Sequence, residues 1–289
     1  CTLYYKLPTV DYYRPKTLDE AIKLLREVEN SKVIAGGTDL LVDMKTSRVR
    51  VRALVDISSI SELLGVEDLS ETIRIGAATK LQELIESRAV SQSLPLLKAA
   101  VESMGSLQIR NMATIGGNLC NASPAADTAP PLLAYDAELV IAGSEGLRTI
   151  PSTKFFVGYR KTALNSREIL KEILIRKSEW SGWSYIKLGR RNGFTLSVVA
   201  IAVLAKVVDN VVYDVRIALN SVAPTPIRVY RAEEVIRGRR VNWGLIEEAA
   251  KTVASEVTPI DDVRSTSWYR REMSYRLAID ALARALGVA

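Results

Sequence analysis

The fold of this chain is organised by the sequence Asn111-Met-Ala-Thr-Ile-Gly-Gly-Asn-Leu-Cys-Asn-Ala-Ser-Pro-Ala-Ala-Asp-Thr-Ala-Pro-Pro131. It is rich in small residues and poor in charge, and its central feature is Gly116-Gly117 between Thr114 and Asn118. Two adjacent glycines lack Cβ atoms, so a ligand can come close to the main chain. Consecutive N–H groups can then converge on an anion. The stretch therefore predicts a cradle made of backbone.

A second loop of the same kind occurs earlier, in Val33-Ile-Ala-Gly-Gly-Thr-Asp-Leu40. Here an apolar strand leads into Gly36-Gly37-Thr38, and a short apolar segment follows. A strand, a diglycine, a hydroxyl residue and a helix in this order are typical of phosphate binding at a helix N-terminus. Because the pattern occurs twice, we interpret the loops as two walls of one site. A pyrophosphate-containing cofactor is the predicted ligand.

The composition is that of an ordinary soluble globular protein. Of its residues 48% are hydrophobic and 25% are charged. The length of 289 residues is enough for two domains or for one large domain with an appended lobe. No apolar run approaches the roughly 20 residues that a membrane span requires. Lys6 and Asp11 stand where a signal peptide would be apolar. These features predict a cytoplasmic protein without a membrane span.

The net charge of +6 comes from basic residues that are dispersed along the chain. Nucleic-acid binding favours a basic stripe on a recognised module, and the sequence contains none. The positive charge instead indicates attraction to an anionic cofactor or to an acidic partner subunit.

The residue types that are missing restrict the chemistry. The sequence has no histidine, which excludes a Ser-His-Asp triad and histidine-ligated zinc or haem. Its two cysteines, Cys1 and Cys120, are too few for an iron–sulfur cluster held by four thiolates. Any redox chemistry must therefore use a bound organic cofactor, and any metal is expected on a partner.

The predicted helices and strands divide the chain into three successive units. In the first, residues 1–57, Thr17 and Glu20 form a capping box before an amphipathic helix. In the second, residues 58–175, another capping box is predicted at Thr79 with Gln82, and a helix begins at Pro95. The strands predicted for these two units cover residues 31–35, 53–57, 72–76, 138–142 and 147–151.

The third unit, residues 176–289, is predicted to hold a three-stranded antiparallel sheet and three helices. Asp209-Asn210 is a favourable tight turn between the last two strands. The strands are predicted at 183–188, 196–208 and 211–220, and the helices at 227–237, 242–257 and 267–286.

Ala35-Gly-Gly-Thr38, combined with Thr114-Ile-Gly-Gly-Asn118, resembles the FAD-carrying medium subunit of the molybdenum hydroxylases. That family includes carbon monoxide dehydrogenase, xanthine dehydrogenase and archaeal aldehyde or glyceraldehyde oxidoreductases, and the resemblance covers essentially the whole chain. It implies an α+β fold with a two-subdomain, PCMH-like FAD-binding domain, followed by the three-stranded sheet and a helical bundle.

The resemblance also implies a heterotrimer, often doubled to a dimer of heterotrimers. A large partner subunit would carry molybdopterin, and a small one would carry two [2Fe-2S] clusters. This chain would pass electrons from those clusters through FAD to an external acceptor, during oxidation of an aldehyde-type substrate, carbon monoxide or an N-heterocycle. The alternative is a self-sufficient FAD-dependent oxidase or reductase with its own substrate pocket. The substrate and the electron acceptor cannot be read from this chain.

No catalytic or metal-binding residue is predicted, whereas the resemblance implies a set of FAD contacts. We expect Asp127 to meet a ribose or an adenine edge, because phosphate would repel its carboxylate; a helix N-cap is its other interpretation. Lys187 beside the isoalloxazine would stabilise anionic reduced flavin, or it is an exposed strand residue. The loop from Gly189 to Phe194 is a predicted flap over the flavin. The predicted cofactor-binding residues are Ile34, Ala35, Gly36, Gly37, Thr38, Asp39, Leu40, Thr114, Ile115, Gly116, Gly117, Asn118, Asp127, Leu170 and Lys187.

Overall fold

The structure is a computed structural model that describes residues 6–191 and 193–288. Within these residues the chain forms a parallel three-stranded sheet, an antiparallel five-stranded sheet, an antiparallel four-stranded sheet and a short two-stranded hairpin. Helices pack on all three larger sheets, so the predicted α+β fold is confirmed. In the described part of the chain, no helix is both long and apolar enough to cross a bilayer.

The first sheet has the strand order β1-β3-β2, with both pairs parallel. Thr17 caps the first helix as predicted, because its Oγ1 accepts a hydrogen bond from the N–H of Glu20 at 3.2 Å. Leu18, Ile22 and Leu25 of that helix are buried against the sheet, as their spacing indicates. The elements are β1 Asp11–Tyr13, α1 Leu18–Glu27, β2 Ser31–Ile34, α2 Leu40–Lys45 and β3 Ala53–Asp56.

The second sheet has the order β4-β5-β10-β6-β7, and its apolar face packs against a layer of short helices. Its strands are β4 Val66–Leu69, β5 Thr72–Gly76, β6 Glu138–Gly143, β7 Gly146–Pro151 and β10 Ile169–Arg176. The helices are α3 Leu81–Glu86, α4 Arg88–Ser93, α5 Pro95–Glu102, α6 Leu107–Arg110, α7 Ile115–Asn121 and α8 Ala129–Ala134. A hairpin of β8 Phe156–Gly158 and β9 Lys161–Thr162 lies beside it.

The capping box predicted at Thr79 is wrong. Helix α3 begins at Leu81 after Lys80, and no side chain caps it. The Thr79 hydroxyl instead donates to the carbonyl of Gly65 at 3.1 Å, which ties the start of α3 to the neighbouring loop. The pattern correctly indicates that a helix starts here. The Thr79 hydroxyl forms a tertiary hydrogen bond, however, and therefore does not cap that helix.

The third sheet has four strands where three are predicted. Asp209 and Asn210 form the expected tight turn, with φ values of +51° and +61°. The additional strand, Ile227–Arg228, pairs with Leu219 and Ala218, so the helix predicted from residue 227 begins only at Tyr230. A two-residue strand is too short to produce a sequence period. The elements are β11 Gly182–Gly189, β12 Ser197–Val208, β13 Val211–Asn220, β14 Ile227–Arg228, α9 Tyr230–Ile236, α10 Trp243–Glu256 and α11 Ser267–Leu286.

The third sheet is not an independent lobe. Ala202 and Leu204 of β12 are buried in the same apolar core as the second sheet. The opposite face of β12, including Ile201 and Val203, packs in a separate core with the C-terminal helices. The sheet therefore separates two cores and packs one face against the five-stranded sheet and its helices.

Candidate functional site

A cavity of about 850 Å³ lies between the loop that follows β2 of the parallel sheet and the elements around the five-stranded sheet. The volume is in the range of pockets that hold small-molecule ligands and cofactors. Its walls come from the loop after β2, the start of α7, the segment from the β8–β9 hairpin to β10, and the loop before β12. Thirteen of the fifteen predicted residues line it: Ile34, Ala35, Gly36, Gly37, Thr38, Asp39, Leu40, Thr114, Gly116, Gly117, Asn118, Asp127 and Leu170.

The first diglycine loop presents unused backbone donors to this cavity. Gly37 has a left-handed conformation, with φ of +69°, and this conformation reverses the chain between β2 and α2. Among the described residues, the N–H groups of Gly36, Gly37, Thr38 and Asp39 donate no hydrogen bond. Successive N–H groups of this kind can bind an anion. This loop fits a phosphate-bearing ligand.

Gly36 also brings the two loops together. A Cβ atom on Gly36 would stand 2.1 Å from the carbonyl oxygen of Met112 and 2.9 Å from the Cα of Ala113. The first loop thus packs directly on the main chain that enters the second. The prediction that the two loops form walls of one cavity agrees with this contact.

The second diglycine loop differs from the prediction in the hydrogen bonds of its backbone amides. Thr114 is the N-cap of α7, and its Oγ1 accepts from the N–H of Gly117 at 3.0 Å. The N–H of Gly116 donates to Ala77 O at 2.8 Å, and that of Asn118 donates to Thr114 O at 3.0 Å. These amides therefore have protein acceptors, and the predicted anion cradle of bare amides is wrong for this loop.

Close packing explains why Gly116 is a glycine. A Cβ atom there would stand 2.5 Å from the carbonyl oxygen of Ala77, whereas one on Gly117 would meet only the Thr114 hydroxyl, at 2.8 Å. Gly117 is exposed and lines the cavity. The second loop thus provides a small, open surface, to which Asn118 adds its side-chain NH₂, while the Asn118 Oδ1 accepts from the Thr128 hydroxyl at 2.6 Å.

Two predicted residues do not line the cavity. Ile115 is fully buried in the apolar core below the loop. The Lys187 ammonium donates to Asp127 Oδ2 at 2.7 Å and to Ser103 O at 3.1 Å. The Lys187 and Asp127 side chains are only 8% and 6% exposed, so they form a buried ion pair. No sequence pattern around Lys187 indicates that Asp127, 60 residues away, is its partner.

Asp127 joins the cavity wall to the third sheet. Besides Lys187, its carboxylate accepts from Tyr185 at 3.2 Å, from Asn220 Nδ2 at 3.0 Å and from the Ser197 hydroxyl. The predicted N-cap role is wrong, since α8 begins at Ala129 after Thr128 and no side chain caps it. Three of these donors meet Oδ1, and Lys187 is the one described donor to Oδ2. Burial and the Asp127 charge raise the pKa of Tyr185 well above its usual value.

The loop predicted as a flap lies at the cavity wall. Phe194 is 63% exposed, has a positive φ of +48° and lines the cavity together with Thr195 and Leu196. Asn192, inside this loop, lies outside the described residues.

The sequence interpretation missed several cavity residues. Arg160, at the turn of the β8–β9 hairpin, donates to Asp43 Oδ2 at 3.0 Å, and both line the cavity. No motif marked either residue. Cys120 is exposed to the cavity, and the protein atoms that crowd around it raise the pKa of its thiol to about 12. Burial raises the pKa of Asp39, Arg160 partly offsets this effect, and Asp43 adds to it.

Comparison with known proteins agrees with this geometry. Residues 8–177 match the family described as the FAD binding domain in molybdopterin dehydrogenase, and residues 183–285 match the CO dehydrogenase flavoprotein C-terminal domain. The chain is 33% identical to the putative xanthine dehydrogenase FAD-binding subunit of Escherichia coli strain K12, with 96% of each chain covered. It is 32% identical to the glyceraldehyde dehydrogenase medium chain of Sulfolobus acidocaldarius, covering 95% of this chain and 97% of the relative.

A solved structure shows the same fold. Carbon monoxide dehydrogenase from Hydrogenophaga pseudoflava contains a chain that superposes with a TM-score of 0.95 at 33% identity, over 98% of this chain and 99% of that one.

The chain therefore belongs to the family of FAD-binding medium subunits of the molybdenum hydroxylases. It is the flavoprotein subunit of a multi-subunit oxidoreductase, and it carries electrons through FAD. As a medium chain it works with a large and a small partner subunit.

Proposed function

We propose that this chain holds FAD in the cavity between its first two units, with the diphosphate at the N–H groups of residues 36–39. The observation that carries the proposal is that these consecutive donors have no acceptor among the described residues and line the cavity. The second loop supports it with the open surface of Gly117 and the Asn118 amide. Ile115 and Lys187 have no direct FAD contact in this proposal, because neither residue lines the cavity.

Asp127 takes a positioning role in this proposal. Its Oδ1 already accepts three hydrogen bonds and its Oδ2 accepts one from Lys187, which leaves at most one acceptor position, on Oδ2, for a ribose hydroxyl. Its backbone and side chain instead fix the cavity wall against β11, β12 and β13. Leu170, Ile34 and Phe194 supply apolar surface for a planar ring and exclude water from it.

Bound FAD supplies the chemistry, accepting electrons from a partner and releasing them to an external acceptor. The protein needs no acid or base for such a transfer; it needs to bind and orient the cofactor. The absence of histidine from the chain is consistent with that division of labour.

The assembly and the substrate are proposed from the relatives. We place this chain in a dimer of heterotrimers in the cytoplasm, with molybdopterin on the large subunit and two [2Fe-2S] clusters on the small one. The names of relatives refer to glyceraldehyde, carbon monoxide, nicotine and caffeine. The proposed substrate is accordingly an aldehyde, carbon monoxide or an N-heterocycle, bound by the large subunit. Within the chain, the proposed units are residues 1–57, 58–175 and 176–289, each with its own sheet.

Cys120 provides a direct test of where FAD binds, since its thiol faces the cavity. In a Cys1→Ser background, the deflavinated chain should be alkylated at Cys120 by iodoacetamide at pH 9.5, slowly because little thiolate is present below a pKa of about 12. Added FAD should slow this alkylation at least about tenfold, since it would cover the thiol. Mass spectrometry gives the rate. Equal rates with FAD bound and absent would place the cofactor elsewhere.

A further inference from the structure

Arg160 joins the two units that enclose the cavity. It lies at the turn between β8 and β9 in the second unit, and its guanidinium donates from Nη1 to Asp43 on α2 of the first. Its backbone has a positive φ of +51°, a conformation that is uncommon for residues other than glycine. The ion pair and the turn together hold the guanidinium at the cavity wall.

This position is next to the unused N–H groups of the first loop. Asp43 follows Asp39 by one helical turn, and its N–H donates to Asp39 O at 2.9 Å. The Asp39 carboxyl senses the charges of both Arg160 and Asp43. The guanidinium therefore lies in the electrostatic neighbourhood of residues 36–39.

The acidic side chains of the cavity wall favour a cation at this place, and Arg160 and Lys32 are the basic residues among the described ones that line the cavity. Four carboxylates line the cavity: Asp39, Asp43, Asp127 and Glu168. Glu168 pairs with Arg148 at 2.7 Å, and Asp127 pairs with Lys187. These two carboxylates are therefore neutralised by cations that do not line the cavity. Asp43 pairs with Arg160 at 3.0 Å and with the exposed Arg48 at 3.7 Å, whereas Asp39 has no ion pair among the described residues. Asp39 lies beside the donors of the first loop, where its carboxylate would repel a diphosphate.

Arg160 has the donors to offset this repulsion. Among its described contacts only Nη1 has a partner, and a guanidinium carries five N–H donors in a planar fork. Arginine binds phosphate through two parallel hydrogen bonds more strongly than neutral donors do. Its other donors remain free for a ligand while Asp43 holds it in place.

We propose that Arg160, oriented by Asp43, is a cationic clamp for the diphosphate of the cofactor and selects dinucleotide over unphosphorylated flavin. This inference rests on the proposed placement of FAD. The backbone donors of residues 36–39 fix the position of the diphosphate, and Arg160 offsets part of the negative charge of the diphosphate and of the neighbouring Asp39 and Asp43.

The test compares FAD with riboflavin, which has the same ring system but no phosphate, on the deflavinated full-length chain. Flavin fluorescence gives both dissociation constants. Arg160→Ala should weaken FAD binding by about tenfold or more, leave riboflavin binding within about twofold, and make FAD binding less sensitive to salt. Arg160→Lys should recover part of the affinity, since a lysine keeps the charge but not the fork.

Arg167→Ala is the matched control, because Arg167 is an exposed arginine near the hairpin that does not line the cavity. It should bind both ligands as the wild type does. If Arg160→Ala weakens FAD and riboflavin equally, the residue only holds the two units together and the clamp is refuted. If wild type prefers FAD and Arg160→Ala keeps that preference, the clamp fails while the placement of FAD stands. If wild type binds FAD no better than riboflavin, the placement itself fails.

Discussion

The main chain of Gly36 touches the main chain of Met112: a Cβ atom at Gly36 would stand 2.1 Å from the Met112 carbonyl oxygen. These residues belong to the two diglycine loops, which are far apart in sequence. Their contact closes one side of the cavity. Neither backbone can move away without separating the loops that line it.

Gly36→Ala should therefore open this contact and damage both stability and FAD binding. No side-chain rotation can relieve a clash between a Cβ atom and a backbone carbonyl oxygen, so the two loops must separate. We expect a loss of about 2 kcal/mol in the free energy of unfolding and little FAD retained after gel filtration. Gly158→Ala is the control, since the nearest atom to a Cβ there is 4.0 Å away. Urea unfolding and the flavin-to-protein absorbance ratio measure the two effects. A Gly36→Ala chain as stable as Gly158→Ala would contradict the contact.

Gly116 and Gly117 should respond differently to substitution although they are adjacent. Gly116→Ala places a Cβ 2.5 Å from Ala77 O. We expect this variant to lose about 2 kcal/mol in the free energy of unfolding. Gly117→Val disturbs only the Thr114 cap, worth about 1 kcal/mol, and extends into the cavity, so it should fold and yet lose FAD. Thermal unfolding and flavin content compare the stability and the FAD retention of the two variants. Full FAD retention by Gly117→Val would show that the cofactor does not approach this loop.

The Asp127–Lys187 ion pair should matter most when only one of its partners is removed. Asp127→Ala leaves a buried ammonium without a counter-charge, which costs about 3–5 kcal/mol in stability. The double variant Asp127→Ala/Lys187→Met should recover a large part of that loss, because no buried charge remains. Urea unfolding of the wild type, the two single variants and the double variant gives the interaction free energy of the pair by a double-mutant cycle. Glu272→Ala, which breaks the exposed pair with Arg276, should cost no more than about 0.5 kcal/mol. An equally small effect of Asp127→Ala would mean that water reaches Lys187.

How far the sequence predicts this site depends on how local each signal is. Gly36, Gly37, Gly116 and Gly117 were found because a diglycine after an apolar segment is a local pattern, and all four line the cavity. The pattern could not show that the amides of the second loop are already bonded to Ala77 and Thr114, because Ala77 is almost 40 residues away.

Long-range partners account for the other differences. Arg160 meets Asp43 across 117 positions of sequence, and Lys187 meets Asp127 across 60. Each is an ordinary charged residue until the fold brings its partner to it. Strands β11, β12 and β13 and the three C-terminal helices lie close to their predicted positions, and α1 and the Asp209–Asn210 turn are fixed by caps and turn chemistry within a few residues. The eight-residue β10, in the middle of the five-stranded sheet, is not predicted. The two-residue β14 had no such local signal.

The last helix is held by a buried arginine that depends on Asp262. Arg270 is 2% exposed, donates to Ser221 O at 2.7 Å and pairs with Asp262 at 2.6 Å, while Arg264 donates to the same carboxylate. Burial alone would raise the pKa of Asp262, but the hydrogen bonds and charges of Arg264 and Arg270 lower it to about 2. A carboxyl group with a lowered pKa stabilises the fold above its unfolded-state value, and this contribution is lost as the pH falls from about 4 to about 2.

Asp262→Asn should consequently destabilise the chain most at neutral pH. We expect a loss of about 3 kcal/mol at pH 7, because Arg270 stays buried without its anionic partner. The difference from wild type should remain constant down to about pH 4 and shrink below it, since the wild-type carboxylate becomes protonated there. Urea unfolding at pH 7, 5, 4 and 3 measures it, and Asp280→Asn, which has no ion pair among the described residues, is the control. A difference between Asp262→Asn and wild type that does not change with pH would show that the charge of Asp262 does not hold Arg270 in place.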